Sequence, residues 1–165
     1  MIRENIKEHN VTWNIRKFKD KSQYLMNVPY FIGQVKGNLA LNEGVNELWT
    51  LVCGSGATKF DHANAYLGVG DSDVAVDKTQ TGLQATTNKM YKSMDDDYPT
   101  YGEDCRACWL STFDAGEATF DWKEFTVANG NGDSYKNLCR RVFDWGTKGA
   151  DEIWELALEI ALISV

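Results

Sequence analysis

The sequence lacks any apolar run close to the about 20 residues that a membrane-spanning helix needs. Its opening residues, MIRENIKEHN, also lack the apolar centre of a secretory signal. These absences predict a protein made in a cytosol, with no membrane partner. A chain of 165 residues has the size of one compact domain. Such a domain buries about two thirds of its unfolded surface, so a core is expected without disulfides or metals.

A basic excess is missing as well. The net charge of −7 argues against sequence-independent binding to nucleic acid, which needs clustered Lys and Arg. The charge is distributed unevenly, because residues 1–22 carry about +3 and the remainder about −10. A basic segment on an acidic body can bind an identical neighbour, and a solvated tail is the alternative.

Signatures of catalysis and redox chemistry are absent too. Cys105 and Cys108 form a C-x-x-C, but they lie in EDCRACWLSTF, which has the pattern of a strand and would send the two side chains to opposite faces. Neither histidine, His9 or His62, has a Ser or Cys partner in a recognisable motif. We therefore expect no enzyme and no cofactor, with reduced cysteines.

Residues 1–41 are the least regular part of the chain. Val11, Trp13 and Ile15 alternate with polar residues, which suits an edge strand, and Pro29 cannot donate to a ladder. We expect an extended N-terminal arm or edge segment whose apolar side chains are covered by its own sandwich or by a neighbouring subunit. The predicted interface residues are Arg3, Lys7, Trp13, Arg16, Lys17, Lys19, Tyr24, Tyr30 and Phe31.

Residues 42–54 predict the one helix. Asn42 is a plausible N-cap, and Gly54 supplies a C-terminal stop. The apolar residues recur at helical spacing and predict a single stripe packed into the core. The members of this stripe are Val45, Leu48, Trp49 and Val52.

After the helix the pattern changes to strands. From Glu152 to Val165, large apolar residues alternate strictly with Glu and Ala, which fits a strand and not a helix. Shorter strands separated by turns of Gly, Asn and Asp precede it. The sequence therefore predicts a mainly β fold, an antiparallel β-sandwich over 42–165 with one α-helix and the N-terminal arm over 1–41.

One acidic loop is a candidate for metal binding. Asp71, Asp73 and Asp77 could bring several carboxylate oxygens together, as calcium prefers. Their spacing does not match an EF-hand, and exposed loop acids are the simpler interpretation. A calcium or magnesium site at a subunit contact would need Asp95–Asp97 to lie nearby.

Four segments together resemble a group of small virion proteins of tailed bacteriophages. They are NEGVNELWTLVCG (Asn42–Gly54), NAYLGVGDSDVAVDKTQTGLQ (Asn64–Gln84), NKMYKSMDDDYPTY (Asn88–Tyr101) and EATFDWKEFTVANGNG (Glu117–Gly132). The resemblance covers residues 42–165 and depends on the order of these segments and on their amino-acid sequences. It implies a non-enzymatic structural protein of the virion, assembled in the host cytoplasm, with other copies of itself and capsid or tail proteins as partners.

Within that class a capsid decoration or cement protein is the favoured function, because many weak contacts per particle add up without a deep pocket. A tail or fibre-associated adaptor is the alternative in the same class. A carbohydrate-binding module is the alternative from another class. If Trp13, Trp122 and Trp145 clustered around a concave surface, they would favour sugar binding, whereas dispersal into the core would favour assembly.

Overall fold

A computed structural model describes residues 10–162 of the chain. Over these residues the protein is mainly β, with two five-stranded antiparallel sheets packed face to face, so the predicted sandwich is confirmed. The elements in chain order are β1 (Asn10–Phe18), α1 (Lys21–Leu25), β2 (Phe31–Lys36), β3 (Leu39–Ala40), α2 (Asn42–Cys53), β4 (Tyr66–Gly70), β5 (Lys89–Ser93), β6 (Thr100–Glu103), β7 (Arg106–Phe113), β8 (Glu124–Ala128), β9 (Asn137–Val142) and β10 (Ile153–Ala161).

The strand orders place the long strands in the middle of each sheet. The first sheet has the order β2-β1-β10-β7-β6, and the second has the order β3-β9-β8-β4-β5. β10 follows the alternation that its sequence predicts, since Trp154, Leu156 and Leu158 are buried while Glu155 and Glu159 face outward. None of the helices among residues 10–162 is long and apolar enough to cross a membrane.

The predicted N-terminal arm is wrong for residues 10–36. β1 lies between β2 and β10 and pairs with β10 over its whole length, from Asn10 opposite Ala161 to Phe18 opposite Ile153. Its alternating apolar side chains are buried in the core, and the irregular composition belongs to the connection around α1. Residues 10–36 are therefore part of the sandwich. The alternation in β1 did not distinguish an edge strand from a central one, because a strand with one apolar face occurs at either position.

The helix prediction is correct in its bounds and wrong in its buried face. α2 packs on β9 through Gly44, where an added Cβ would lie 2.2 Å from the Leu138 Cα. This close approach turns the predicted apolar stripe away from the core. Leu48, Trp49 and Val52 are 39%, 62% and 74% exposed. Leu41 stands at the N-cap position, without a side-chain hydrogen bond, so the predicted Asn42 cap is also incorrect.

Aromatic rings fill the space between the sheets. Phe113, Trp122 and Trp154 stack in succession, with ring centroids 4.7 and 4.9 Å apart and edge-to-face geometry. Trp109 donates its indole N–H to the Phe60 carbonyl oxygen at 2.9 Å. The core thus takes up the tryptophans of the described residues with the exception of Trp49.

Candidate functional site

The three tryptophans that could have marked a sugar site are core residues. Trp13 and Trp122 are fully buried, and Trp145 is 7% exposed. Trp13 lies 5.7 Å from Phe125 between the two sheets, measured between ring centroids. These indoles therefore offer no platform for a sugar ring on the surface.

The basic residues predicted for the interface differ in burial, with one inside the core and one on the outer face of the first sheet. Lys17 is buried, with its ammonium 3.9 Å from the centroid of the Trp154 ring, and it donates to the Trp145 carbonyl oxygen. Burial lowers the pKa of Lys17, while Glu152 and Asp144 oppose that shift. Arg16 pairs with Glu155 at 2.8 Å on the outer face of the first sheet.

Of the remaining predicted interface residues, Lys19, Tyr30 and Phe31 are exposed and Tyr24 is half-buried. Trp13 and Lys17 cannot contact a partner in this fold, because both are buried beneath their own sheet. Arg3 and Lys7 lie outside the described residues.

The segment from α1 to the start of β2 carries several exposed apolar side chains that are close together in the sequence, at one edge of the first sheet. We call them the β2 edge surface; Leu25 and Ile32 are the most exposed, at 73% and 69%. Apolar patches of this kind mark contact sites more often than scattered single residues do. The members of the β2 edge surface are Leu25, Met26, Val28, Tyr30, Phe31 and Ile32.

Specific contacts hold the β2 edge surface in place. Asp20 caps α1 by accepting a hydrogen bond from the Gln23 backbone N–H at 2.9 Å. Tyr24 packs edge-on against Phe18, with ring centroids 5.2 Å apart. The Tyr30 hydroxyl donates to Glu152 at 2.6 Å. Burial, together with this carboxylate, raises the pKa of Tyr30 to about 12.

A second exposed apolar region lies on α2. We call Leu48, Trp49 and Val52 the α2 surface. The two surfaces lie at opposite ends of β9, because α2 packs on Leu138 at its start, whereas the Trp145 ring beyond its end lies 6.2 Å from the Phe31 ring centroid. These two exposed apolar areas are therefore separate from each other on the described part of the chain.

The acidic loop that was a calcium candidate instead covers the outer face of the second sheet. Its residues 71–88 connect β4 to β5 and lie over β8 and β9. Glu124 accepts hydrogen bonds from the backbone N–H groups of Gln84 and Ala85, and Arg140 donates to the Val74 carbonyl oxygen at 2.9 Å. Glu124 and Arg140 pair at 2.6 Å, and both are fully buried.

The three candidate aspartates do not converge on a metal site. Asp77 caps its own turn by accepting from Thr79, whose two donors lower the pKa of the Asp77 carboxyl. Asp71 accepts from the Asn88 amide at 2.7 Å, and Asp73 is exposed. Within residues 10–162, no group of three or more His, Cys, Asp or Glu side chains could hold a metal ion. The described residues therefore do not support calcium binding by these three aspartates.

The C-x-x-C does not form a paired site. Cys105 lies in the turn before β7 with a φ of 55°, and Cys108 is half-buried on β7. Burial raises the pKa of Cys108, which favours the thiol over the thiolate that metal binding and redox chemistry need.

An open groove of about 810 Å³ lies beside β6. Asp96 and Asp97 line it together with two tyrosines, Tyr98 and Tyr101, and the second of these rings is 74% exposed. His62 contacts the Tyr98 carbonyl oxygen through Nδ1 at 2.7 Å. Sugars bind to sites of this kind, because aromatic faces stack on sugar rings and carboxylates accept hydrogen bonds from sugar hydroxyl groups.

Comparison with known proteins finds no matching family model, no matching curated protein and no matching solved structure. The resemblance to virion proteins therefore stays a prediction.

Sequence reasoning missed the α2 surface and the buried ion pair. Gly44 was the available signal for the first, since a glycine inside a helix marks a possible close approach. Glu124 and Arg140 lie on separate strands at outward positions, where charged residues are ordinarily solvated.

Proposed function

We propose that this chain is a non-enzymatic structural protein of a tailed-phage particle, most specifically a decoration protein that cements the outer shell. The observation that carries the proposal is the pair of exposed apolar surfaces at opposite ends of β9. A protein with two contact areas bridges two neighbours, and many such bridges on one particle act together.

The interior of the sandwich supports the same function. The tryptophans of the described residues, Trp49 excepted, are committed to the core, and one face of the second sheet is closed by its own loop. A rigid block with exposed apolar contact areas suits adhesion. The phage setting comes from the sequence resemblance, and the bridging role comes from the arrangement of the two surfaces.

A binding experiment tests the proposal. Purified particles are analysed by mass spectrometry for the chain, and particles stripped of it are then mixed with purified protein and sedimented. We expect Trp49→Ser and the double variant Leu25→Ser/Met26→Ser to weaken binding by about tenfold or more each, because each truncates anchors of one surface. Asn46→Ala, on the polar side of α2, is the matched control and should bind normally.

Two results would contradict the proposal. The first is absence of the chain from purified particles. The second is binding that neither surface variant changes. An image of labelled protein on particles separates the shell from the tail, where the same protein would serve as a tail or fibre-associated adaptor.

A carbohydrate-binding module is the second candidate, and the groove beside β6 favours it. Tyr101 would stack on a sugar ring while Asp96 and Asp97 accept hydroxyl hydrogen bonds. Isothermal titration with a panel of glycans, with and without calcium, tests this candidate. Heat that disappears in Tyr101→Ala would support it, and the absence of any heat from the panel would reject it.

A further inference from the structure

The edges of the two sheets differ in how far they are protected against pairing with another strand. β6 is four residues long and its register with β7 shifts between Tyr101 and Glu103. β3 has two residues, and β5 carries Lys89 and Lys92. Short length, irregular register and lysines are the usual means of blocking an edge.

β2 lacks most of these protections. It is six residues long, has no proline or register shift, and pairs with β1 from Phe31 opposite Lys17 to Lys36 opposite Thr12. Its one lysine, Lys36, stands at the end of the strand. The exposed apolar side chains of the β2 edge surface lie next to it. Such a strand is a template for pairing.

The hydrogen-bond phase of the ladder between β1 and β2 shows which backbone groups of β2 point away from β1, and among residues 10–162 these groups have no backbone partner. The Gly37 N–H donates to the Val11 carbonyl oxygen at 2.7 Å, and both belong to the register of β1 and β2. In an antiparallel pair the direction of the backbone groups alternates. Phe31, Gly33 and Val35 therefore direct their N–H and C=O groups toward β1. The groups that point to the free edge are those of Ile32, Gln34 and Lys36.

We propose that β2 pairs antiparallel with β2 of a second copy of this chain, around a two-fold axis centred on Gln34. This inference names one partner of the β2 edge surface and in that respect rests on the proposed function. The three free residues match themselves in this arrangement, with Ile32 opposite Lys36 and Gln34 opposite its own copy. Each pair exchanges two hydrogen bonds, which gives about six across the interface.

The side chains fit this register. On the outer face the aliphatic stem of Lys36 lies beside Ile32 of the other copy, which covers an exposed apolar side chain. On the inner face Gly33 stands opposite Val35, and Gly33 has no room for a side chain because the Trp145 ring would lie 2.5 Å from its Cβ.

Charge does not oppose the pairing. The two Lys36 residues are offset by four positions along the strands, which separates their backbones by about 14 Å. That distance exceeds the Debye length of about 8 Å at physiological salt, so their repulsion is largely screened. An unrelated strand would have to supply a matching pattern, whereas a second copy supplies it by symmetry.

Sedimentation equilibrium of the full chain tests the proposal with three variants at one position. The wild type should sediment at twice the chain mass of 18.6 kDa. Gln34→Pro removes an outward N–H that β1 does not use, so the fold should survive while dimer dissociation becomes easier by about tenfold or more. Gln34→Ala is the matched control: it loses the same side-chain contact with Asn14 and keeps the N–H, so it should remain a dimer.

Gln34→Lys keeps the backbone and places two like charges directly opposite each other. It should also weaken the dimer, which preserves the test if the proline variant fails to fold. Hydrogen exchange should show slow amides at Ile32 and Lys36 in the wild type and faster exchange at both in Gln34→Lys.

Several outcomes would overturn the inference. They are a wild-type monomer, a dimer that neither Gln34→Pro nor Gln34→Lys weakens, and a dimer whose Ile32 and Lys36 amides exchange freely. Particles take no part in these measurements, so the result is independent of the proposed function. A monomer that still binds particles rejects only the dimer, and a dimer absent from particles rejects only the decoration role.

Discussion

The outer faces of the two sheets carry similar polar residues but bury them to different extents. Each face has an arginine–glutamate pair across neighbouring strands, Arg140 with Glu124 on the second sheet and Arg16 with Glu155 on the first. The first of these pairs is fully buried beneath residues 71–88, whereas the Arg16 side chain is 35% exposed. Two pairs of the same residue types are therefore buried to different extents, and the covering loop accounts for the full burial of the pair on the second sheet.

The same contrast separates two kinds of surface. The covered face binds the protein's own loop, so most of its polar groups are satisfied internally, with Arg140 Nη2 as an exception. The outer face of the first sheet is more exposed at Arg16, although Glu155 and Thr112 are largely buried there, and this sheet ends in the open edge of β2. Association with other molecules is therefore expected at the first sheet and at α2.

The largest expected effect comes from one substitution made on both faces. Arg140→Ala should lower the free energy of unfolding by about 3–5 kcal/mol, because it leaves the Glu124 carboxylate buried without its partner. Arg16→Ala should lower it by less, about 1–3 kcal/mol, because the Arg16 side chain is partly exposed although the Glu155 carboxylate that it leaves behind is largely buried. Urea unfolding measures both, and equal losses would contradict the comparison.

A smaller effect is expected from filling space beneath the covering loop. An added Cβ at Gly70 would lie 2.5 Å from a Glu124 carboxylate oxygen and 3.0 Å from the Ala85 Cβ. Gly70→Ala should therefore destabilise the protein by about 1–3 kcal/mol, as overpacking does. Thermal unfolding is the measurement, and an unchanged melting temperature would mean that the loop moves aside freely.

At alkaline pH, ionisation of a tyrosine on the covered face and of one at the β2 edge should lower the stability of the fold to different extents. Burial raises the pKa of Tyr91 on β5, and Asp133 adds to that shift; the pKa of Tyr30 is raised to about 12. A folded-state pKa above the unfolded value gives stability that is present below about pH 10 and is lost as pH rises. Tyr91→Phe and Tyr30→Phe should each remove part of this loss above pH 10, and Tyr91→Phe should remove more as the pH approaches 12, because burial raises the pKa of Tyr91 further.

The smallest effect on stability is expected at the two apolar surfaces. Trp49→Ser and Ile32→Ser each change a largely exposed side chain, so the free energy of unfolding should change by about 0.5 kcal/mol or less. Chemical unfolding at low protein concentration checks this value. A large loss would mean that these side chains support the fold and are not free for a partner.

The sequence predicted elements whose pattern is local. β10 was predicted from alternation alone, and the bounds of α2 were predicted from spacing and a terminal glycine. β1 had the right period, but its position in the sheet depends on pairing with β10, which lies more than a hundred residues away. The local pattern of a strand does not predict which distant strand it pairs with.

The contact surfaces were harder to predict than the elements. The burial of one helix side depended on Gly44 contacting Leu138, so the longer apolar stripe was assigned to the core incorrectly. The loop over Glu124 contains acids that suggest a cation, yet its role is to present backbone N–H groups to a carboxylate. Tyr30 and Phe31, which the sequence predicted as interface residues, are exposed in the structure, and their contact with a partner stays a prediction.

The irregular register of β6 affects whether pairs of chains can associate further into fibres. If chains join through β2, the opposite margin of the same sheet offers a poor template, since its hydrogen-bonding groups are out of step between Tyr101 and Glu103. Joining then stops at two molecules and does not continue into a fibre. A protein that is needed in many copies at high local density would in this way avoid polymerising before it reaches its place.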